Sequence, residues 1–397
     1  HARFEKVQEA FSHMTERAQE AFSAVRVVKA YGDEESEHSF FTARAKEYVD
    51  ENITLARIFA VFDPAIFAIA TLSMALLTGV GGTMVINGSL TLGEFVAFST
   101  YLGMLTWPMI AVGVVVNLLQ RGAASMERIM RILRVPPAIR SGARGLEGTP
   151  RIDVSHLSFT YPETTEQVLR DVSFALPPGD FLGVVGKTGC GKTTLIELLM
   201  RLYDPPKGTI HCDDTPLHDL RLSDLRALYG YVPQDPFLFA MSVADNIRFG
   251  AGALEDEEVE RYAKIVRLHD EILTFPDGYE TLVGERGITL SGGQKQRVSI
   301  ARALATKPRI LVLDDALSSV DAETEKAILH ELATVMKETT CIVVAHRISA
   351  VMDATSILVM ANGTIVDRGS HEELIGRAGY YRDLYHLQSL ESSQSAS

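Results

Sequence analysis

The chain opens on apolar residues set at helical spacing among charges: Phe4, Val7, Phe11, Ala18, Phe22 and Val25 recur between Glu, Lys, Arg and His. Residues three and four apart share one helix face, so Ala2 to about Arg57 reads as a helical hairpin. No proline interrupts it, and Gly32, its one glycine, stands beside the acidic cluster Asp33-Glu34-Glu35. Then the charges stop. Ala65–Ile86 and Phe95–Gln120 contain no Asp, Glu, Lys or Arg. Each exceeds the ~20 residues an α-helix needs to cross a hydrocarbon core. A pair of buried core helices is the alternative, and such helices rarely run so far without a charge.

The loop between the two runs, Asn87–Glu94, holds no Lys or Arg, whereas Arg44, Lys46 and Arg57 flank one side and Arg121, Arg128, Arg131 and Arg134 the other. The positive-inside rule then puts both outer ends in the cytoplasm. The expected location is the cell (inner) membrane, multi-pass. Two helices cannot enclose a polar path, so further helices are expected from outside this sequence or from partners. His1, with no signal peptide after it, fits the C-terminal portion of a longer polypeptide.

Val135–Arg151 is rich in Pro, Gly and Arg without an apolar period and reads as a linker. Beyond it, short apolar runs (Phe181–Gly186, Ile310–Asp314, Cys341–Ala345 and Ile357–Met360) alternate with helical patterns. That is the form of a largely parallel, helix-covered sheet. The expected organisation is therefore a cytoplasmic helical extension over 1–57, a transmembrane hairpin over 58–120, a linker over 121–149, an α/β domain over 150–390 and a disordered polar tail over 391–397.

Charge removes one class of partner. The 38 Lys and Arg against 51 Asp and Glu leave −13, which argues against nucleic acid. The three cysteines, Cys190, Cys212 and Cys341, have no paired spacing and read as reduced cytosolic thiols.

The segment Gly186-Lys187-Thr188-Gly189-Cys190-Gly191-Lys192-Thr193 fits GxxxxGK[ST], directly after an apolar strand and opening a helix. Glycines let backbone N–H groups turn around a β-phosphate, and the helix N-terminus adds positive potential. Lys192 is expected to reach the β and γ oxygens, the Thr193 hydroxyl to ligate Mg²⁺, and Thr194 to join the ATP contacts. Cys190 inside this loop is expected to favour thiolate. Asp314 closes the apolar run Ile310–Asp314, where ligands of open α/β sheets collect, and is expected to hold Mg²⁺ through water. Leu290-Ser291-Gly292-Gly293-Gln294 precedes a helical run and offers donors for a second anion site, or an ordinary helix cap.

LSGGQ between a phosphate loop and an Asp-ended strand resembles the ATP-binding cassette (ABC) transporters, and the likeness extends over essentially the whole chain. Tyr161, in Phe159-Thr160-Tyr161-Pro162, resembles the aromatic that stacks on adenine. Gln234 resembles the glutamine that touches Mg²⁺ and the attacking water. Ser318-Ser319-Val320-Asp321 resembles the loop crossing the nucleotide dimer, and His346 the histidine at the γ-phosphate. Singly these are also a core tyrosine, a turn glutamine, a helix cap and a strand-end histidine; jointly, in one order, they carry the likeness.

The resemblance implies an α/β P-loop nucleotide-binding domain with a helical subdomain, preceded by a partial all-α transmembrane domain of the exporter type. Val27–Gly32 resembles the segment near a coupling helix, and the two apolar runs resemble the fifth and sixth membrane helices. It also implies ATP and Mg²⁺ as cofactors and a second half-transporter chain as partner. Ser291, Gly292, Gly293, Gln294 and Asp321 are then expected to act on the partner's ATP. Apolar positions such as Phe67, Met74 and Met104 suit a small amphipathic cargo.

One position departs from the family pattern. Where it places Glu after the Asp-ended strand, this chain has Asp315, whose carboxylate is one methylene shorter. A general base must come within about 2.6–3.2 Å of its proton, and a displacement of about 1 Å costs on the order of 10²-fold. Asp here resembles the weakly hydrolysing half of heterodimeric exporters, with catalytic positions Asp315, His346 and Gln234. A regulatory subunit that binds ATP with negligible hydrolysis is the other reading. A DNA-repair ATPase sharing LSGGQ is disfavoured by the uncharged runs and the acidic charge.

Overall fold

The computed structural model describes residues 2–162, 164–284, 290–336 and 339–395. Ala396 and Ser397 of the expected tail lie outside them. The chain divides into two compact units, His1–Pro136 and Pro137–Ser397.

The first unit is helical. α1 (Ala2–Ser23) and α2 (Val25–Tyr31) lead to Gly32, whose φ of 65° ends α2 as a left-handed cap. α3 (Glu34–Leu76) begins with Glu34, Glu35 and Glu37 in its first turn, where carboxylates suit the positive end of a helix dipole. α1 runs back along α3: Arg3 pairs with Glu51 at 3.8 Å, Arg17 with Glu37, and the Phe11 and Tyr48 rings stand 5.6 Å apart. The predicted hairpin is therefore present.

The first uncharged run lies in α3, a π-helical turn over Leu77–Gly81 and α4 (Gly82–Ile86). A Cβ on Gly81 would sit 3.0 Å from the Phe95 ring, so glycine allows this turn to approach α5 (Leu92–Leu133). α5 starts with a capping box between Thr91 and Glu94. Both apolar stretches are long enough to cross a membrane and expose their side chains, Trp107 and Ile86 among them. α5 continues to Leu133, so residues 121–133, expected in the linker, are helical. Nothing between Gly122 and Pro136 breaks the helix, and Pro136 forces its end.

The second unit holds two sheets. β1 (Ile152–Thr160), β2 (Gln167–Leu176), β4 (Ile210–Cys212) and β5 (Thr215–Pro216) form an antiparallel sheet in the order β2-β1-β4-β5. The other has the order β10-β9-β3-β8-β7-β6 and comprises β3 (Phe181–Gly186), β6 (Tyr229–Val232), β7 (Ile310–Asp314), β8 (Thr340–Val344), β9 (Ser356–Ala361) and β10 (Thr364–Gly369). All but the edge strand β10 pair in parallel. All four predicted apolar runs are strands of this sheet.

Side chains alternate across that sheet. Val184, Ile310, Val312, Ile342 and Val344 face one core with α6 (Lys192–Leu199) and the antiparallel sheet. Val185, Leu311, Leu313 and Val343 face the other core. Each fully buried Val, Leu or Ile contributes about 1.5–3 kcal/mol. α7 (Leu222–Ala227) follows β5. α8 (Val243–Arg248), α9 (Asp256–Ile265) and α10 (His269–Leu273) pack with α11 (Gly292–Ala305) as a helical subdomain. α12 (Ala322–Met336), α13 (His371–Gly376) and α14 (Tyr380–Ser395) complete the unit. α14 carries helix into the segment expected to be a disordered tail, as far as Ser395.

Candidate functional site

The carboxyl ends of β3, β7 and β8 meet on one edge of the parallel sheet, because β8 pairs with both β3 and β7. β3 ends at Gly186, where a Cβ would lie 2.4 Å from the Met360 carbonyl oxygen. The loop then turns through Gly189 and Gly191 at φ of 80° and 100° and enters α6. Glycine is favoured at 191 by its φ of 100°, which strains other residues, and a Cβ there would also sit 3.2 Å from the Val168 carbonyl oxygen. Lys192 is 7% exposed, and its ammonium donates to the Gly186 carbonyl at 2.9 Å and the Lys187 carbonyl at 3.1 Å.

A cleft of about 230 Å³ opens beside this loop, lined by Thr188, Gly189, Gly191, Lys192, Thr193, Thr194, Gln234, Asp314, Asp315 and His346, with Val168 and Val344. Ten predicted site residues thus converge from the loop, the segment after β6, and the ends of β7 and β8. Gly186, Lys187, Cys190 and Tyr161 do not line it. Asp314 is 1% exposed, and burial raises its carboxyl above the usual range, against the Thr193 hydrogen bond that lowers it. Its Oδ2 is buried with no hydrogen-bond partner among the described residues. A buried carboxylate oxygen left open in a cleft also lined by Thr193 and Gln234 fits a hard cation with few protein ligands, as Mg²⁺ requires.

Asp315 sits at φ 50°, with its N–H on the Val344 carbonyl at 2.8 Å. Asp and Asn tolerate this left-handed region better than longer side chains do. His346 leaves β8 in a segment held from behind. Gln388 of α14 donates to the His346 carbonyl at 2.7 Å and accepts from the Ile348 N–H at 2.9 Å, and Arg347 pairs with buried Glu325 of α12. Tyr161 shares a 2.8 Å hydrogen bond with Thr194 Oγ1 and donates to Glu197 at 3.0 Å, its ring edge-on to Phe159 and Tyr203.

Cys190 corrects an expectation. It is 5% exposed, and burial pushes its thiol up, outweighing Lys192, whose Nζ lies 4.0 Å from the sulfur. The loop's positive potential does not make it a thiolate.

The residues expected to act on a partner's nucleotide gather elsewhere. Ser291 caps α11 in a capping box with Gln294, and Gln294 Nε2 donates to Glu271 at 2.9 Å. The capping role that the sequence also offered for Ser291 is therefore realised. Asp321 accepts from the Thr324 N–H at 2.9 Å, which holds its carboxyl below the usual range. Gly292 and Gly293 lie against Ser319, where Cβ atoms would meet its Cβ at 3.4 Å and its carbonyl oxygen at 3.0 Å. None of Ser291, Gly292, Gly293, Gln294 or Asp321 lines the cleft.

Sequence reasoning missed Val168, Gln296, Glu325, Arg347 and Gln388. Gln296 had a faint signal, a polar residue one helical turn before the apolar Ile300, and it is 1% exposed. Gln388 had none, a single amide between Leu387 and Leu390 with nothing in the sequence to link it to His346.

Residues 169–318 match the family model of the ABC transporter, and residues 1–109 that of the ABC transporter transmembrane region. The chain is 44% identical over 394 residues to the multidrug resistance-like ATP-binding protein MdlA of Escherichia coli, covering 99% of this chain and 67% of that protein. Identity is 41% over 396 residues to the probable multidrug resistance ABC transporter ATP-binding/permease protein YheI of Bacillus subtilis, covering 99% of this chain and 68% of the relative. It is 39% over 391 residues to an ATP-dependent lipid A-core flippase of Pseudomonas fluorescens, covering 97% of this chain and 64% of the relative. A bacterial Atm1-family ABC exporter solved with ATP bound superposes with a TM-score of 0.87 at 32% identity, covering 98% of this chain and 69% of that one. A phosphate-loop cleft on a parallel sheet, two membrane-length helices and these relatives together establish that the chain belongs to the ABC transporters, as an exporter with an ABC ATPase domain.

Proposed function

We propose that this chain is one subunit of a heterodimeric exporter whose own site binds MgATP and hydrolyses it slowly, while its LSGGQ segment completes the partner's faster site. The observation that carries this reading is Asp315, a short carboxylate at the position of the hydrolytic base. In this account ATP phosphates lie along the loop's N–H groups and the start of α6, with Lys192 on the β and γ oxygens. Gly186, Lys187 and Cys190 shape the loop from behind. Tyr161 exposes a ring face to adenine. Thr193, Gln234 and Asp314 would hold Mg²⁺, which when bound would supply positive charge to balance that developing on the phosphate oxygens. His346 donates to the γ-phosphate, and Asp315 takes the proton of the attacking water as the bond from γ-phosphorus to the bridging oxygen breaks.

Closure of two nucleotide domains around ATP then moves the membrane helices between inward and outward access. The names of the relatives, which speak of multidrug resistance and of a lipid A-core flippase, support an amphipathic cargo for this chain. The arginines beyond the second apolar run support an inner-membrane placement with the ATPase domain in the cytoplasm.

A regulatory subunit with negligible hydrolysis rests on the same Asp315. Turnover with and without the co-purifying partner chain separates the readings. A heterodimer yields two half-transporters by mass spectrometry and ATPase activity only when both are present. Full activity from this chain alone overturns the proposal in favour of a homodimeric motor.

A further inference from the structure

Gln296 lies on the first turns of α11, 1% exposed, and spends both ends of its amide on one neighbour. Its Nε2 donates to Ser318 Oγ at 3.0 Å, and its Oε1 accepts from the Ser319 N–H at 2.9 Å. The start of the same helix also lies against Ser319: a Cβ on Gly293 would sit 3.0 Å from its carbonyl oxygen, and one on Gly292 in ordinary contact with its Cβ at 3.4 Å. Ser318 and Ser319 are themselves exposed, in the turn between β7 and α12 that ends on the cap Asp321. A buried amide with both ends satisfied by one exposed turn fixes that turn to the helix, since an amide freed of either partner loses a buried hydrogen bond.

We infer that Gln296 is a positioning residue that joins the LSGGQ segment and the Ser318–Asp321 turn into one rigid jaw, which addresses the partner's nucleotide as a unit. The inference rests on the proposal that these two segments act in trans. Under it, loosening the joint slows the partner's site and leaves this chain's own ATP binding intact, because neither Ser318 nor Ser319 lines this chain's cleft and the joint reaches it only through the Ser318 N–H on the Asp315 backbone carbonyl at 3.3 Å.

Gln296→Met keeps volume and helix propensity and deletes both hydrogen bonds. Ser318 and Ser319, being exposed, then bond to water, so the variant is expected to fold. The test is steady-state ATPase of the purified complex, with azido-ATP photolabelling resolved by chain. The expected result is a loss of about tenfold in kcat, as one misplaced contact in a closing site costs, with KM within about twofold. Labelling of this chain's phosphate loop is expected to stay unchanged. Ser318→Ala, which removes one of the two bonds from the exposed side, is expected to lower kcat less alone and to add little in the Gln296→Met background.

Turnover of Gln296→Met within twofold of the parent overturns the inference, as does a loss of own-chain labelling in step with turnover, which makes Gln296 structural only. Fully multiplicative losses in the double variant overturn it as well, since the two residues then do not act through one joint. Gly293→Asp is the control on the underlying proposal. If that variant retains full turnover, the trans role of LSGGQ fails and this inference with it. If it abolishes turnover while Gln296→Met does not, only the joint is refuted.

Discussion

At the residue scale, Lys192 and Cys190 stand two positions apart and differ in what the sequence revealed. The Lys192 reading needed only the GxxxxGK[ST] spacing after a strand, and the structure brings its ammonium onto the loop carbonyls. Lys192→Ala is expected to abolish azido-ATP labelling of this chain; labelling at the parental level contradicts the phosphate-loop assignment. Cys190 depended on a competition that spacing does not record, burial against positive potential, and burial wins. With its thiol pushed up, maleimide reacts slowly near neutral pH, and the rate climbs as pH rises toward the raised value. Cys212 and Cys341, both pushed up to about 12, are expected to react more slowly still, and MgATP to protect Cys190 alone. Mass spectrometry of the three sites across pH 7–9 checks the order; modification of Cys190 indifferent to MgATP contradicts its place in the loop.

At the element scale, the strands were legible because a parallel sheet covered on both faces needs continuous apolar runs, and β3, β7, β8 and β9 each carry one. The antiparallel β1-β2-β4-β5 sheet was not, since its half-buried strands lack such runs. The helix over residues 121–133 is hard to tell from linker in the sequence, because its charges look like the segment that follows. α14 hid its role altogether, and that role is mechanical. Gln388 satisfies a carbonyl and an N–H where β8 gives way to the short turn Ile348–Ala350, beyond the end of the sheet ladder. Gln388→Met is expected to lower the stability of the nucleotide-binding unit by about 1–2 kcal/mol, the net worth of two half-exposed hydrogen bonds. Thermal unfolding of the purified protein reads this directly, and an unchanged midpoint shows that α14 does not hold the His346 segment.

At the scale of the whole molecule, the cleft and the LSGGQ jaw are separate places on one chain, and the account turns on each serving a different ATP. In the proposed heterodimer Asp315 carries the asymmetry. Its left-handed backbone suits Asp and Asn, so Asp315→Asn removes the charge without new strain, whereas Asp315→Glu extends the base at a strain of about 1 kcal/mol. Asp315→Glu is therefore expected to raise hydrolysis at this chain's own site, visible as faster release of trapped nucleotide from this chain. The most direct measurement is steady-state ATPase of the purified complex carrying either Asp315→Asn or Gly293→Asp in this chain. The account predicts that Gly293→Asp, which drives a side chain into the Ser319 carbonyl and blocks the face offered to the partner's γ-phosphate, stops most turnover, while Asp315→Asn leaves a large fraction. Loss of turnover in Asp315→Asn as complete as in Lys192→Ala would contradict it, and would make Asp315 a working base in an ordinary motor subunit.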